Sequence, residues 1–168
     1  LRDGLVARMK GYKIGDGSKS GTTMGPVISA KHRERVLGYI DKGVKEGAEL
    51  VVDGRKVETR ESGYFVGPTL FDRVRPEMTI AREEIFGPVL CMNQVPDLDS
   101  AIALSQRHPL ANASSIFTTS GKSARQFRYS IDASMAGVNI GVAAPMSFFG
   151  FGGAKGSFFG DLKAHGRE

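Results

Sequence analysis

The residue types in this chain best suited to hold a ligand stand together in Glu83-Glu84-Ile85-Phe86-Gly87-Pro88-Val89-Leu90. Two carboxylates and an aromatic ring come directly before a Gly-Pro turn and an apolar run that reads as a buried strand. A carboxylate at such a place can accept hydrogen bonds from two vicinal sugar hydroxyls, and charge-assisted bonds of that kind are short and orienting. Phe86, beside it, can cover a flat ring. Taken by itself, Glu84 could equally be a solvated acid or a carboxylate at the start of a helix.

The other reactive residue types point to less chemistry. Cys91 follows the Gly-Pro turn inside a strand, between Leu90 and Met92, and reads as an inert core thiol. His32 lies on a charged helix face, His108 precedes Pro109, and His165 is near the end; the three lack metal-ligand spacing, so no metal is expected. The segment Phe148-Phe149-Gly150-Phe151-Gly152-Gly153-Ala154-Lys155-Gly156-Ser157-Phe158-Phe159-Gly160-Asp161 combines glycines with five phenylalanines. Its glycines permit close backbone approach, but it lacks the spacing of a phosphate-binding loop, as does Gly15-Asp16-Gly17-Ser18-Lys19-Ser20. No dinucleotide-binding fingerprint is present.

Composition bounds the rest. A chain of 168 residues with 40% apolar content suits one globular unit or a large piece of one. A net charge of +5 is mild for a nucleic-acid binder. Lys31, Arg33, Glu34, Arg35, Asp41, Lys42, Lys45 and Glu46 intersperse acids among basic residues, as on a solvated helix face. No apolar run is long enough to span a membrane, and Leu1-Arg2-Asp3-Gly4 does not begin a signal peptide. With a single cysteine, a reducing compartment is expected, either a bacterial cytoplasm or the mitochondrial matrix.

Helices and strands alternate in the pattern, which predicts an α/β fold with a largely parallel sheet and flanking helices. Helices are expected from Leu1 to about Gly11, from Ser29 to about Gly47 with Val36, Leu37, Ile40 and Val44 inward, after Asp97 or Asp99 until Pro109, and from Gly121 to Ile131. Strands are expected at Glu49 to Val52, Val89 to Val95, Ser114 to Thr118 and Ala136 to Ile140. Gly54 to Phe71 reads as an excursion with an apolar return from Phe65.

Six segments then resemble, in order and approximate spacing, the aldehyde dehydrogenase family: Met24 to Ile28, Gly67-Pro68-Thr69, Glu83 to Leu90, Ser115 to Thr118, Gly137-Val138-Asn139 and Gly152 to Lys155. The likeness covers essentially the whole chain and is to the C-terminal portion of the family's catalytic domain, residues 1–168 here. Pro145-Met146-Ser147-Phe148-Phe149 and Gly156 to Asp161 are similar to the coenzyme-A-acylating branch that acts on methylmalonate or malonate semialdehyde.

The resemblance implies that a cysteine thiolate attacks the aldehyde, hydride passes to NAD, and coenzyme A accepts the acyl group, with decarboxylation to acyl-CoA. It implies that Glu84 holds the nicotinamide ribose with Phe86 packed beside it, that Glu83 serves structure, and that Phe149 and Phe151 line the aldehyde pocket. Core packing is the plain alternative for the two phenylalanines, as a surface or packing role is for Lys155 and backbone satisfaction for Asn139. The nucleophile, its oxyanion-hole partner, the substrate-carboxylate arginines and the NAD-binding domain are expected before Leu1. The catalytic residue set of this chain is therefore empty, and alone it is expected to be inactive. The full enzyme is expected to be a homo-oligomer, a tetramer, although Gly166-Arg167-Glu168 departs from the strand by which relatives reach a partner subunit. A hydrolytic NAD-dependent dehydrogenase and a non-catalytic interaction module are the alternative readings.

Overall fold

The computed structural model describes residues 1–57, 62–160 and 163–165. Part of the expected excursion before Phe65, the Asp161 end of the glycine-aromatic segment, and Gly166 to Glu168 fall outside the described residues. The chain forms two units, Leu1–Gln94 and Val95–Glu168. Among the described residues no helix is long and apolar enough to cross a membrane.

In the first unit, α1 (Arg2–Lys10) precedes a loop closed by a lone bridge between Ile14 and Met24. α2 (Ala30–Lys45) starts at Ser29, whose side chain accepts from the His32 amide at 3.2 Å and satisfies one of the donors a helix start leaves orphaned. It stops at Gly47, which sits at φ +87°, while the Gly47 and Ala48 amides return to the carbonyls of Val44 and Gly43. That is a Schellman closure, and glycine reaches its left-handed conformation without Cβ strain.

β1 (Glu49–Val52), β2 (Thr69–Asp72) and β3 (Val89–Cys91) form one sheet with β2 central and buried throughout. α3 (Thr79–Arg82) lies between β2 and β3. The core gathers Val36, Ile40, Val66, Phe71, Val74, Met78, Ile80 and Ile85 between α2, the sheet and α3. On α2 the inward residues are Val36, Tyr39, Ile40 and Gly43, while Val44 is 44% exposed. The expected stripe is thus turned: a Cβ on Gly43 would come within 2.9 Å of both Phe71 and Ile80, so the ring of Phe71 occupies the place of a side chain.

The second unit holds α4 (Leu98–Arg107), β4 (Leu110–Ala111), β5 (Ala113–Ile116), α5 (Gly121–Ser130), β6 (Met135–Val138) and β7 (Ala154–Lys155). Asp97 caps α4 by accepting from the Ser100 amide at 2.8 Å, and Ser120 caps α5 through the Ser123 amide at 3.2 Å. Ile102 and Phe127 are their buried residues.

The fold is α/β, with mixed sheets where a largely parallel one is expected. β2 with β3 and β5 with β6 run parallel, each pair joined through a helix. β1 with β2 and β4 with β7 run antiparallel. Parallel pairing needs a crossover, and no helix is described between β1 and β2, so the chain returns beside itself in the opposite sense. β3 ends at Cys91, short of Val95, where its partner gives way to Arg73 at φ +52°; beyond that irregularity the Val74 amide still donates to the Met92 carbonyl at 3.0 Å.

Candidate functional site

The segment Glu83 to Pro88 lies across α2 and is fixed at nearly every residue. Ile85, 7% exposed, enters the core. The Tyr39 phenol donates to Glu83 Oε2 at 2.6 Å. Arg35 Nη2 donates to the Glu84 carbonyl at 2.9 Å, and His32 Nε2 lies 2.7 Å from the Phe86 carbonyl, which can only accept, so Nε2 carries the hydrogen. Gly87 rests against α2 so closely that a Cβ there would be 2.7 Å from Val36 Cγ2. The Pro88 carbonyl accepts from the Thr69 amide at 2.8 Å, which ties the end of the segment to β2.

These contacts take the Glu83 carboxylate, the Ile85 side chain and main-chain atoms of Glu84, Phe86 and Pro88, and leave two side chains outward. The Glu84 carboxylate is exposed and has no hydrogen-bonding or ionic partner among the described residues. Phe86 is 74% exposed, meets the His32 ring edge-on at 6.3 Å between centroids, and has φ +58°. A left-handed conformation costs a non-glycine residue about 1 kcal/mol or more and persists where surroundings enforce it. The unpartnered carboxylate and the exposed ring thus stand two residues apart on a pinned loop, and a carboxylate so placed can accept hydrogen bonds from a diol.

Cys91 is half-buried in β3, where Sγ lies 3.5 Å from the Ile80 carbonyl. Burial pushes its thiol up to about 11, so it is a poor nucleophile near neutral pH. Among the described residues no cluster of three or more His, Cys, Asp or Glu could hold a metal ion.

Phe149 and Phe151 belong to the second unit, and neither is a core aromatic. Phe149 is 58% exposed and pairs with Phe148 at 4.6 Å; Phe151 is 38% exposed and stacks on His165 at 5.3 Å. Main-chain bonds between Phe151 and the carbonyl of His165 and the amide of Ala164 hold the second ring's strand of loop in place. Lys155 Nζ donates to the carbonyls of Gln106 and His108 at the end of α4 and pairs with Asp132 at 3.4 Å, a helix-closing role. Asn139 exchanges bonds with the main chain of Thr118, donating to its carbonyl at 3.0 Å and accepting from its amide at 2.9 Å.

His32 and Arg35 were legible only as members of a charged helix face, and Tyr39 was not singled out in the sequence. Their spacing of three and four residues places them on one side of α2 beside the apolar stripe, and that spacing is the signal that they share a target.

The Aldehyde dehydrogenase family profile matches residues 1–168. The chain belongs to the aldehyde dehydrogenase family. Malonate-semialdehyde dehydrogenase 1 of Bacillus licheniformis is 53% identical over 164 residues, 98% of this chain and 34% of that protein. The methylmalonate-semialdehyde dehydrogenase of Oceanimonas doudoroffii superposes with a TM-score of 0.92 at 45% identity, over 98% of this chain and 35% of that one. A Sinorhizobium meliloti protein assigned as a methylmalonate-semialdehyde dehydrogenase, solved with NAD, gives a TM-score of 0.95 at 40% identity, over 98% of this chain and 34% of that one. This aldehyde dehydrogenase chain spans about a third of the length of the curated relatives it matches.

Proposed function

We propose that this chain is the C-terminal portion of the catalytic domain of a malonate or methylmalonate semialdehyde dehydrogenase, acting on its aldehyde with NAD and passing the acyl group to coenzyme A with decarboxylation. The supporting observation is the Glu84 carboxylate, unpartnered and exposed beside the Phe86 ring on a loop otherwise fixed by its main chain. In this reading Glu84 accepts from the two hydroxyls of the nicotinamide ribose, and Phe86 covers a face of the same nucleoside. NAD, when bound, supplies the hydride acceptor. A carboxylate free of internal partners can give both oxygens to a diol, and a fixed backbone spares most of the entropy of ordering the loop.

Phe149 and Phe151 form part of the aldehyde pocket in this proposal, with their rings half-exposed on a loop closed by the Phe151 main-chain pair. The nucleophilic cysteine and most NAD contacts come from sequence outside this chain, so the isolated chain does not oxidise aldehydes. A homotetramer, and a bacterial cytoplasm or mitochondrial matrix, go with the reading.

Steady-state kinetics of the full-length protein test it. Glu84→Gln keeps the size of the side chain and removes its charge, and is expected to raise the KM for NAD+ by about tenfold, the loss of a charge-assisted bond. An unchanged KM and kcat would remove Glu84 from the cofactor site. Chromatography of products from malonate semialdehyde is expected to give acetyl-CoA, formed only when coenzyme A is present; free acid formed equally well without it would mark a hydrolytic enzyme instead.

A further inference from the structure

We propose that His32 and Arg35 are positioning residues that aim the ligand-facing side chains of Glu84 and Phe86 by gripping the carbonyls of those same two residues. The proposal rests on the cofactor role given to Glu84 and Phe86 above. Each bond is made to the main chain: Arg35 Nη2 to the Glu84 oxygen at 2.9 Å, and His32 Nε2 to the Phe86 oxygen at 2.7 Å. The side chains stay free while their point of attachment is held.

Both anchors act on residues 84–86, whose neighbours Glu83 and Gly87 are held separately by Tyr39 and Val36. Between them only Ile85 enters the core, and one apolar anchor leaves a peptide free to rock about it. Two carbonyl anchors on either side remove that freedom. His32 and Arg35 are three residues apart on α2, about 4.5 Å along the helix axis, a span that suits carbonyls two residues apart in a chain shortened by the left-handed turn at Phe86. That turn is unfavourable by itself, so some outside contact must impose it. The His32 bond to the Phe86 carbonyl, with the two rings edge to face, supplies such a contact. Both the Nε2–H tautomer and the imidazolium donate, so the grip does not depend on the charge of the ring.

Hydrogen exchange and kinetics on the full-length protein decide the matter together. In the absence of NAD+, His32→Leu and Arg35→Met are expected to speed amide exchange across residues 83–89 by about tenfold, as expected for loss of a net bond near 1.4 kcal/mol, while exchange in the core strand around Phe71 is unchanged. The same variants are expected to raise the KM for NAD+ by a similar factor, with kcat changed less. His32→Gln, whose amide can still donate, is expected to restore both readouts to within about twofold. Exchange across 83–89 matching the unaltered protein would overturn the proposal, whether or not the KM changed. Faster exchange with an unchanged KM, in a protein whose KM does respond to Glu84→Gln, would overturn it while leaving the cofactor role intact. A KM unresponsive to Glu84→Gln as well would remove the cofactor role, and this proposal with it.

Discussion

The Tyr39 phenol donates to Glu83 Oε2 at 2.6 Å, and that bond separates two neighbouring acids that look alike in sequence. Glu83 is tied back to α2. Glu84, one residue on, has its carbonyl held by Arg35 and its carboxylate turned to solvent. Alternation along an extended segment sends adjacent side chains to opposite sides, so one acid can serve the fold only while the other stays available.

Tyr39→Phe is therefore expected to destabilise the chain by about 1 kcal/mol, the net worth of one hydrogen bond. The ring remains, with Lys42 Nζ 4.9 Å and the Arg35 guanidinium 5.3 Å from its centroid, so packing is little changed. Glu84→Gln is expected to alter stability by less than about 0.5 kcal/mol. Urea unfolding of the two variants, with a Tyr39→Phe/Glu83→Gln double-mutant cycle, measures both; a coupling of zero between positions 39 and 83 would contradict the bond.

Gly87→Ala is expected to cost about 1 to 3 kcal/mol, the usual range for overpacking. Its Cβ would meet Val36 Cγ2 at 2.7 Å and Cγ1 at 3.0 Å, and Val36 is fully buried against the core. A background of Val36→Ala removes both methyls, so the added cost of Gly87→Ala there is expected to shrink. Equal costs in both backgrounds, read by thermal or urea unfolding, would show that Val36 is not what Gly87 accommodates.

Patterning in the sequence carried the local elements and failed where contact depended on shape. Ser29, Gly47 and Asp97 act as caps through short-range bonds, so their positions are readable from neighbouring residues. Tyr39 and Gly43 were not placed inward, because neither raises the apolar signal of α2; the Phe71 ring against Gly43 is a long-range fit. The two-residue strands β4 and β7 escaped for the same reason, since pairs such as Leu110 with Lys155 have no local period. At the candidate site, Glu84 and Phe86 stood out through residue type, while His32 and Arg35 act on carbonyls, which every residue has and no sequence marks.

Asp72 is 1% exposed, and its carboxyl is held below the usual value of 3.8, first by the Arg73 amide and then by Gln94 and Arg2. Arg2 Nη1 approaches it at 3.1 Å and Gln94 Nε2 at 3.2 Å. A folded-state value below the unfolded one means that the charged carboxylate adds stability above pH 3.8, and that this is lost as pH falls through the lower folded-state value. Asp72→Asn is expected to be less stable than the unaltered chain at pH 7 and to approach it below pH 3.8. Denaturant unfolding at several pH values gives the comparison, and a gap that stayed constant into acid would contradict the assignment.

Cys91 offers the opposite sign. Burial raises its thiol from 9.0 to about 11, so the folded chain keeps its proton where the unfolded chain has lost it. The neutral thiol contributes full stability below pH 9.0, and the contribution falls as pH rises from there to about 11. Cys91→Ala lacks this component, so the difference in stability between it and the unaltered chain is expected to narrow across that window. At pH 8 only about one thiol in a thousand is ionised at such a value, against about one in ten at the ordinary one, and the thiolate is the reacting species. Labelling by a disulfide reagent at pH 8 is therefore expected to be at least about tenfold slower in the folded chain than in urea, the greater nucleophilicity of a high-pKa thiolate offsetting part of its lower ionised fraction. Labelling as fast in the folded chain as in urea would show an ionised, accessible thiol and would make Cys91 a candidate nucleophile in its own right.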